Sequence, residues 1–183
     1  MRRNVVVMGA VLFLCGASFA LATHGRAQQD DPVFPLEIAT VLRVVDGDTV
    51  VVSVQIDDEG TLETRRIRLI GIDAPEKRSA DPYWRKATER LETLMLGKTV
   101  TLERQTRDWN RYFHYGRRYL RDFFVFDAGS GQTLFVNAVM VQDGFARASP
   151  LVPNTDHEDE LQACEDDARA HHRGLWKGSS KDE

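Results

Sequence analysis

Residues 66–76, with the sequence RIRLIGIDAPE, constrain the fold and the chemistry of this chain more than any other segment. Their first half interleaves arginines with β-forming residues, which is typical of a strand. Pro75 cannot donate a hydrogen bond to a sheet and holds Ala74 extended, so the strand must end here. A cation, a fixed turn and two carboxylates therefore lie close together. This combination fits either an ordinary charged strand end or the edge of a binding site.

Two more strand-like segments precede this one and predict an antiparallel sheet. Residues 36–45 and 50–56 are rich in β-branched and other apolar residues, and the third segment covers residues 62–72. Asp46-Gly47, between the first two, is a tight hairpin signal. Because short turns join neighbouring antiparallel strands, the three segments form a meander.

The rest of the chain alternates helices with two further strands. Helices are predicted at residues 83–96, at residues 136–143 and after a capping box from Thr155 to Glu158, and strands at residues 100–103 and 119–126. Five short strands, with one helix after the third and others after the fifth, favour a small closed β-barrel with about three helices packed on it. The nearest architecture is the five-stranded oligonucleotide-binding (OB) barrel, an α+β fold.

The N-terminal residues have the pattern of an export signal. A basic start is followed by an apolar run over residues 5–22 that ends in Ala20-Leu21-Ala22. We expect residues 1–22 to be a cleaved signal peptide; an uncleaved membrane anchor is the alternative, and lipidation of Cys15 is a weaker one. The domain is then expected in the periplasm or the medium, or at the membrane if the anchor persists. The predicted organisation is a flexible linker at residues 23–35, the domain at 36–176 and a charged tail at 177–183.

Cysteine content and charge narrow the classes of site. The chain has two cysteines, and signal cleavage leaves only Cys164, so neither an internal disulfide nor a zinc-thiolate centre is expected. The formal net charge is −4. Any binding of nucleic acid must therefore come from a local basic patch.

Charged residues gather at predicted turns rather than on regular strand or helix faces. They are Asp46, Asp48, Arg68, Asp73, Glu76 and Arg117. Carboxylates without cysteine or paired histidine favour a hard cation, Ca²⁺ or Mg²⁺. Arginines beside such a site favour an anionic ligand, above all phosphate. A metal, a water-activating carboxylate and two arginines together are suited to phosphodiester hydrolysis.

A site of this kind requires an irregular strand. In a regular strand, Arg68 and Asp73 are five residues apart and point to opposite faces. They can converge only if the strand breaks between them, and Gly71 is the residue that can permit a bulge or bend. A functional site therefore predicts an irregularity near Gly71, whereas an ordinary strand end does not.

Three motifs in the chain resemble those of the staphylococcal (thermonuclease-type) nucleases. They are residues 45–49 (VDGDT), residues 68–76 (RLIGIDAPE) and residues 115–117 (YGR), with similar C-terminal segments at 136–138, 144–146 and 174–176. The resemblance covers residues 36–176. It implies a five-stranded OB barrel and Ca²⁺-dependent cleavage of DNA and RNA that leaves 3′-phosphate ends, with Mg²⁺ as the less favoured ion.

The resemblance also implies a metal site and a residue for the attacking water. By motif position, Asp48, Asp73 and the backbone carbonyl of Ala74 would bind Ca²⁺. Ala74 stands where the best-known members have threonine, which keeps the carbonyl ligand and removes a hydroxyl. Glu76 would position or deprotonate the water.

The expected substrate contacts come from two parts of the chain. The resemblance implies that Arg68 and Arg117 clamp the phosphate and that Tyr115 lies beside it. The preceding aromatic residues, Trp109 and Tyr112 among them, can either stack on bases or pack their loop onto the barrel.

DNA and RNA, single-stranded or frayed, are the expected partners. The protein is expected to act as a monomer with no obligate protein partner. Two alternatives stay open from the sequence. A non-catalytic binding barrel would not need the carboxylates or the second arginine. A structural calcium-binding protein would leave Arg68 and Arg117 unexplained.

Overall fold

The computed structural model describes residues 36–77, 83–105, 119–152 and 154–177. Its first three strands form an antiparallel meander, β1 (Glu37–Asp46), β2 (Thr49–Gln55) and β3 (Leu62–Leu69). Asp46 faces Thr49 across the first hairpin, and Thr49 in turn faces Arg68 on β3. The predicted meander is therefore confirmed, and its register places the first turn beside the end of β3.

Two later strands close the sheet into a barrel. Strand β5 (Thr99–Glu103) pairs antiparallel with β1, and β6 (Tyr119–Asp127) pairs antiparallel with β5. Strand β6 also pairs in parallel with β3, with Ile67 opposite Tyr119, so the circuit β1-β2-β3-β6-β5 is complete. The predicted five-stranded OB barrel is confirmed. Strand β7 (Gln132–Phe135) extends β6 as a hairpin.

The third predicted strand is interrupted where the sequence indicated. Instead of running through residues 62–72, β3 ends at Leu69, a turn occupies Ile70 and Gly71, and a two-residue strand, β4 (Ile72–Asp73), follows. Gly71 has φ +72°, a conformation that residues with a Cβ rarely adopt. The prediction of an irregularity at Gly71 is confirmed. Strand β8 (Arg147–Ala148) pairs antiparallel with β4 and holds the redirected chain.

In the described part of the chain, three α-helices pack on the barrel, as the sequence predicted. They are α1 (Tyr83–Met95), α2 (Val136–Gln142) and α3 (Glu158–Ala170), and a single 3₁₀ turn (Gly174–Trp176) follows. Helix α1 buries Ala87, Leu91, Leu94 and Met95, which follow the predicted apolar spacing. None of the helices within the described ranges is long and apolar enough to cross a membrane.

The predicted capping box of α3 is wrong. The N-cap is His157 rather than Thr155, and no side chain caps the helix. The N–H of Glu158 donates instead to the backbone carbonyl of Thr155 at 3.1 Å. The ring of His157 packs at a tilt of 49° against that of Phe135, with 4.7 Å between ring centroids, and this packing places the helix start later than the motif suggested.

The outer predicted segments lie beyond the described residues. The signal peptide and linker fall in residues 1–35, and the tail lies outside the description from residue 178 onward. The domain between them has one core, formed by the barrel interior and the faces of the helices that cover it. Its largest fully buried side chains include Phe123, Ile67, Leu69, Leu91 and Met140.

Candidate active site

Arg68 joins two carboxylates that the sequence places 25 residues apart, Asp48 and Asp73. Its Nη1 donates to Oδ1 of Asp48 at 2.7 Å, and its Nη2 donates to Oδ1 of Asp73 at 2.7 Å. Nη2 also donates to the backbone carbonyl of Ile72 at 3.2 Å. The three charged residues from two predicted motifs therefore form one constellation.

The bend at Gly71 explains how Arg68 and Asp73 meet. Because φ is positive at Gly71, the chain leaves the path of β3, and Asp73 returns to the side on which Arg68 lies. Strand β8 fixes this path, since Asp73 faces Arg147 in register and the N–H of Ser149 donates to the carbonyl of Gly71 at 2.8 Å. The backbone thus supplies the convergence that a regular strand could not.

Asp48 is the buried member of the constellation, with 3% of its surface exposed. Its Oδ1 accepts a hydrogen bond from the Thr49 hydroxyl at 2.8 Å, and its Oδ2 accepts one from the N–H of Ala74 at 3.1 Å. Burial raises the pKa of the Asp48 carboxyl to about 6, while the Arg68 guanidinium opposes this shift. A buried carboxylate of this kind is stabilised by nearby positive charge.

Close packing holds the first hairpin and the turn at Ala74 against α1. A Cβ added to Gly47 would lie 2.7 Å from the Cβ atoms of both Ala74 and Ala87, so no other residue fits at position 47 without displacement. Ala74 itself is 4% exposed. Glycine in the first turn and alanine on each facing segment therefore bring the hairpin, the DAPE turn and the helix together.

The site opens to solvent at Asp73 and Glu76. The Asp73 side chain is 57% exposed, and Glu76 is also exposed. The remaining predicted site residues, Arg117, Tyr115, Tyr112 and Trp109, fall within residues 106–118, which lie outside the described part of the chain. The structure therefore brings together Asp48, Arg68, Asp73 and Ala74 and places Glu76 two residues further along the open edge.

The donor set fits a hard divalent cation that completes its shell with other oxygens. Two carboxylates, Asp48 and Asp73, share one cationic partner, and the Ala74 backbone adjoins them. In the described ranges, no group of three or more His, Cys, Asp or Glu side chains is arranged to hold a metal. Carbonyl groups, water and phosphate oxygens are ordinary ligands of Ca²⁺ and Mg²⁺, so two carboxylates suffice for this class of ion.

Asn137 supports the bend and was not identified from the sequence. Its Nδ2 donates to the carbonyl of Ile70 at 2.9 Å and to Oδ1 of Asp122 at 3.1 Å, and its Oδ1 accepts from the N–H of Phe123 at 3.1 Å. Asn137 is fully buried. The available signal was one amide side chain within the otherwise apolar run of residues 136–141.

Glu165 supports the opposite side of the bend and was also missed. It is 4% exposed on α3 and accepts a hydrogen bond from the N–H of Ala148 on β8. Arg169 pairs with the same carboxylate. The sequence pattern that could have identified Glu165 is an acidic residue on the helix face that otherwise carries Leu161 and Ala168. Glu165 thus ties α3 to the strand that positions β4.

Comparison with known proteins identifies the family of this chain. The family described as "Staphylococcal nuclease homologue" matches residues 66–178. An "Uncharacterized endonuclease" of Escherichia coli O157:H7 is 38% identical over 136 residues, 74% of this chain and 74% of that protein. A "Micrococcal nuclease" of Shigella flexneri is 31% identical over 145 residues, 78% of this chain and 75% of its own.

A third relative carries the name that the motifs suggested. The "Thermonuclease" of Staphylococcus hyicus is 26% identical over 140 residues, covering 74% of this chain and 73% of that protein. The family match covers the end of β3, the bend at Gly71, the later strands and the three helices. The chain belongs to the staphylococcal nuclease family.

Proposed function

We propose that this protein is an exported, Ca²⁺-dependent endonuclease that hydrolyses phosphodiester bonds of DNA and RNA and leaves 3′-phosphate ends. The observation that carries the proposal is the convergence of Asp48, Arg68 and Asp73 within hydrogen-bond distance. Membership of a family whose named relatives include endonucleases and thermonucleases supports the class of reaction.

Asp48, Asp73 and the backbone carbonyl of Ala74 would hold the cation. Ca²⁺ suits this set better than Mg²⁺, because Ca²⁺ accepts carbonyl ligands and irregular geometry. When bound, the ion supplies positive charge that orients the phosphate and stabilises the charge that builds on it. The buried position of Asp48 restricts that carboxylate to one orientation, which its bonds from Thr49 and Ala74 also fix.

Arg68 would bind the phosphate beside the metal carboxylates. Its guanidinium already lies 2.7 Å from an oxygen of each carboxylate, so a phosphate on Arg68 is adjacent to both. A planar guanidinium can donate two parallel hydrogen bonds to phosphate oxygens and strengthen them as negative charge develops. Arg68 is 9% exposed, and this burial limits how far water competes with the phosphate for the guanidinium N–H groups.

Glu76 and Arg117 would complete the chemistry. Glu76 follows Pro75 on the exposed edge of the site, where its carboxylate can position or deprotonate the attacking water. Arg117 is assigned as the second phosphate ligand on its motif alone. Tyr115 is assigned as a substrate contact on the same basis. Tyr112 and Trp109, in the aromatic segment before that motif, are proposed to stack on bases, with single-stranded or frayed nucleic acid as the substrate form.

The test is cleavage of single-stranded DNA and of RNA by the purified domain, with added Ca²⁺, Mg²⁺ or chelator. We expect Ca²⁺ to restore cleavage after chelation and the products to carry phosphatase-sensitive 3′ ends. Arg68→Ala should lose at least about 100-fold in rate. Arg66→Ala, an exposed arginine on the same strand, should retain the parent rate. Cleavage that persists in chelator, or no cleavage with any ion, would overturn the proposal.

Export has its own test. The N-terminal residues 1–22 carry the proposed signal, and a fusion of this segment to a reporter enzyme should be exported and cleaved after Ala22. Retention of the uncleaved fusion in the membrane would identify an anchor instead. A cytoplasmic fusion would contradict the proposed location.

A further inference from the structure

The start of α1 carries a cluster of basic and aromatic side chains outside the predicted site. We call it the Trp84 patch, and it consists of Lys77, Tyr83, Trp84, Arg85 and Lys86. Nζ of Lys77 lies 5.4 Å from the centre of the Trp84 ring, and Cζ of Arg85 lies 5.2 Å from it. Nζ of Lys86 lies 5.1 Å from the Tyr83 ring. Each cation therefore lies within cation–π distance of an aromatic ring.

Most arginines of the described structure pair with a carboxylate, and the cations of the Trp84 patch differ from them in this respect. No carboxylate within the described ranges pairs with Lys77, Arg85 or Lys86 at ion-pair distance, whereas six arginines elsewhere do have such partners. Those six are Arg65, Arg68, Arg90, Arg121, Arg169 and Arg173. In an acidic chain of net charge −4, this leaves a local positive surface with exposed charges at Arg85 and Lys86.

Helix stability does not explain the sign of this charge. The first turn of α3 has three acids, Glu158, Asp159 and Glu160, as the helix dipole favours. The first turn of α1 has none, and it carries Arg85 and Lys86 instead. Cations at the beginning of a helix are unfavourable for the isolated fold. A bound polyanion would offset that cost.

The Trp84 patch adjoins the candidate active site. Lys77 directly follows Glu76, and Ala87 of α1 packs beside Ala74, since a Cβ on Gly47 would touch both alanines. Trp84 lies three residues before Ala87 on the same helix. This separation is about 5 Å along the helix axis, less than one full turn. A strand bound at Arg68 can therefore continue over this surface.

Tyr83 anchors one side of the Trp84 patch to the core of the domain. Its ring stacks on Phe145, with 5.7 Å between centroids and 28° between planes, and Phe145 packs against the main core. Trp84 is half-buried. An aromatic ring with cations around it is the arrangement that accepts an unpaired base together with its phosphates.

We propose that the Trp84 patch is a binding subsite for an unpaired nucleic-acid strand next to the scissile bond. One base stacks on Trp84 by displacing a cation from the face of its ring, and Lys77, Arg85 and Lys86 contact the flanking phosphates. This inference rests on the proposed nuclease function and adds a substrate-length requirement to it. A duplex holds its bases inside the helix, so the patch selects single strands.

Binding and turnover measured separately test the subsite. Anisotropy with a labelled single-stranded 20-mer in chelator reports binding without cleavage. Trp84→Ala should weaken that binding about tenfold, and Trp84→Phe should recover most of it. The Arg85→Ala/Lys86→Ala double variant should reduce the slope of log Kd against log salt by about 0.7 per lost contact. Hydrolysis of a nitrophenyl ester of thymidine phosphate, which is too short to reach the patch, should stay within about twofold.

Matched variants separate the subsite from general effects. Phe126→Ala removes a 62% exposed ring on β6, and Lys98→Ala removes an exposed cation just after the other end of α1. Both should bind the 20-mer like the parent. Parent-like binding by Trp84→Ala overturns the subsite, as does equal weakening on the matching duplex. Equal loss of 20-mer binding and ester hydrolysis in Trp84→Ala also overturns it. If the parent cleaves nothing, the nuclease function fails while the binding arm still decides the subsite.

Discussion

Arg68 and Asp73 are five residues apart in sequence, yet Nη2 of Arg68 and Oδ1 of Asp73 lie 2.7 Å apart. A regular strand would place the two side chains on opposite faces. The positive φ of Gly71 removes that constraint, and the hydrogen bonds of Ser149 and Asn137 to the neighbouring carbonyls hold the result. The geometry of the site is therefore a property of the backbone at one glycine.

Replacing Gly71 should damage both stability and activity. Gly71→Ala forces an alanine into φ +72° and places its Cβ 2.6 Å from Cδ1 of Leu161. We expect about 2–4 kcal/mol of destabilisation in urea unfolding and a large loss of cleavage. Gly131→Ala is the control, because Gly131 has φ +70° but open space around its Cβ, and it should cost only about 1–2 kcal/mol. Equal costs for the two variants would show that the contact with Leu161 is unimportant.

Removing the charge of Asp73 should separate function from stability. The Asp73 side chain is 57% exposed, so its pairing with Arg68 contributes at most about 1 kcal/mol. Asp73→Asn should unfold close to the parent without metal and lose at least about 100-fold in cleavage rate. It should also lose the stabilisation by Ca²⁺, about 2–3 kcal/mol at 100 times the Kd. Melting curves with and without Ca²⁺ measure this.

A surface carboxylate of similar surroundings provides the comparison for Asp73. Glu63 lies on β3, is 43% exposed and pairs with Arg65. Glu63→Gln should keep both the cleavage rate and the Ca²⁺-induced rise in melting temperature. A rise that survives in Asp73→Asn would place the ion elsewhere.

Asn137 should be among the most sensitive buried positions. Asn137→Leu leaves the carbonyl of Ile70 and the N–H of Phe123 without their partner in the interior. We expect a loss of about 2–5 kcal/mol in urea unfolding. Gln142→Ala, at the half-buried end of the same helix, should change stability by about 0.5 kcal/mol or less. If Asn137→Leu also cost only about 0.5 kcal/mol, the carbonyl of Ile70 would need no support from a side chain.

The stability of the domain should fall as pH rises towards neutrality, because of Asp122. Burial raises the pKa of the Asp122 carboxyl to about 7, while His157 and Gln105 oppose the shift. The unfolded chain has an ordinary aspartate pKa near 3.9. Between about pH 4 and pH 7 the folded state therefore binds more protons, and stability decreases by up to about 4 kcal/mol.

His157 contributes in the same direction. A hydrogen bond that His157 donates to the Glu160 carboxylate, together with the charges of Asp122 and Glu103, raises the pKa of His157 against the effect of burial. Its contribution is present below the unfolded pKa near 6.5 and disappears as pH rises through the folded value. Urea unfolding of the parent and of Asp122→Asn from pH 4.5 to 8 measures both. The variant should retain the smaller slopes from Asp48, whose pKa burial raises to about 6, and from His157, and an unchanged slope would contradict the assignment to Asp122.

Sequence reasoning reached the strands and the converging residues because both depend on local signals. Asp46-Gly47 marked the hairpin, alternation marked the strands, and Gly71 between two charges indicated a bend. The parallel pairing of Ile67 with Tyr119, which closes the barrel, joins residues distant in sequence and has no local pattern. This pairing could be predicted only by choosing the OB barrel as the architecture.

The supports of the site were not predictable in the same way. Asn137 and Glu165 act through backbone groups of Ile70 and Ala148, and a backbone partner leaves no trace in the residue types it meets. The capping box failed because His157 found a ring partner in Phe135, a contact between distant residues. Tertiary packing determined each of these features.

A crystal structure with Ca²⁺ and thymidine 3′,5′-bisphosphate tests the proposed site most directly. We expect the ion about 2.3–2.6 Å from the carboxylates of Asp48 and Asp73 and from the carbonyl of Ala74. We also expect Arg68 to donate to the phosphate. An ion bound elsewhere, or a phosphate that does not contact Arg68, would contradict the assignment of this site.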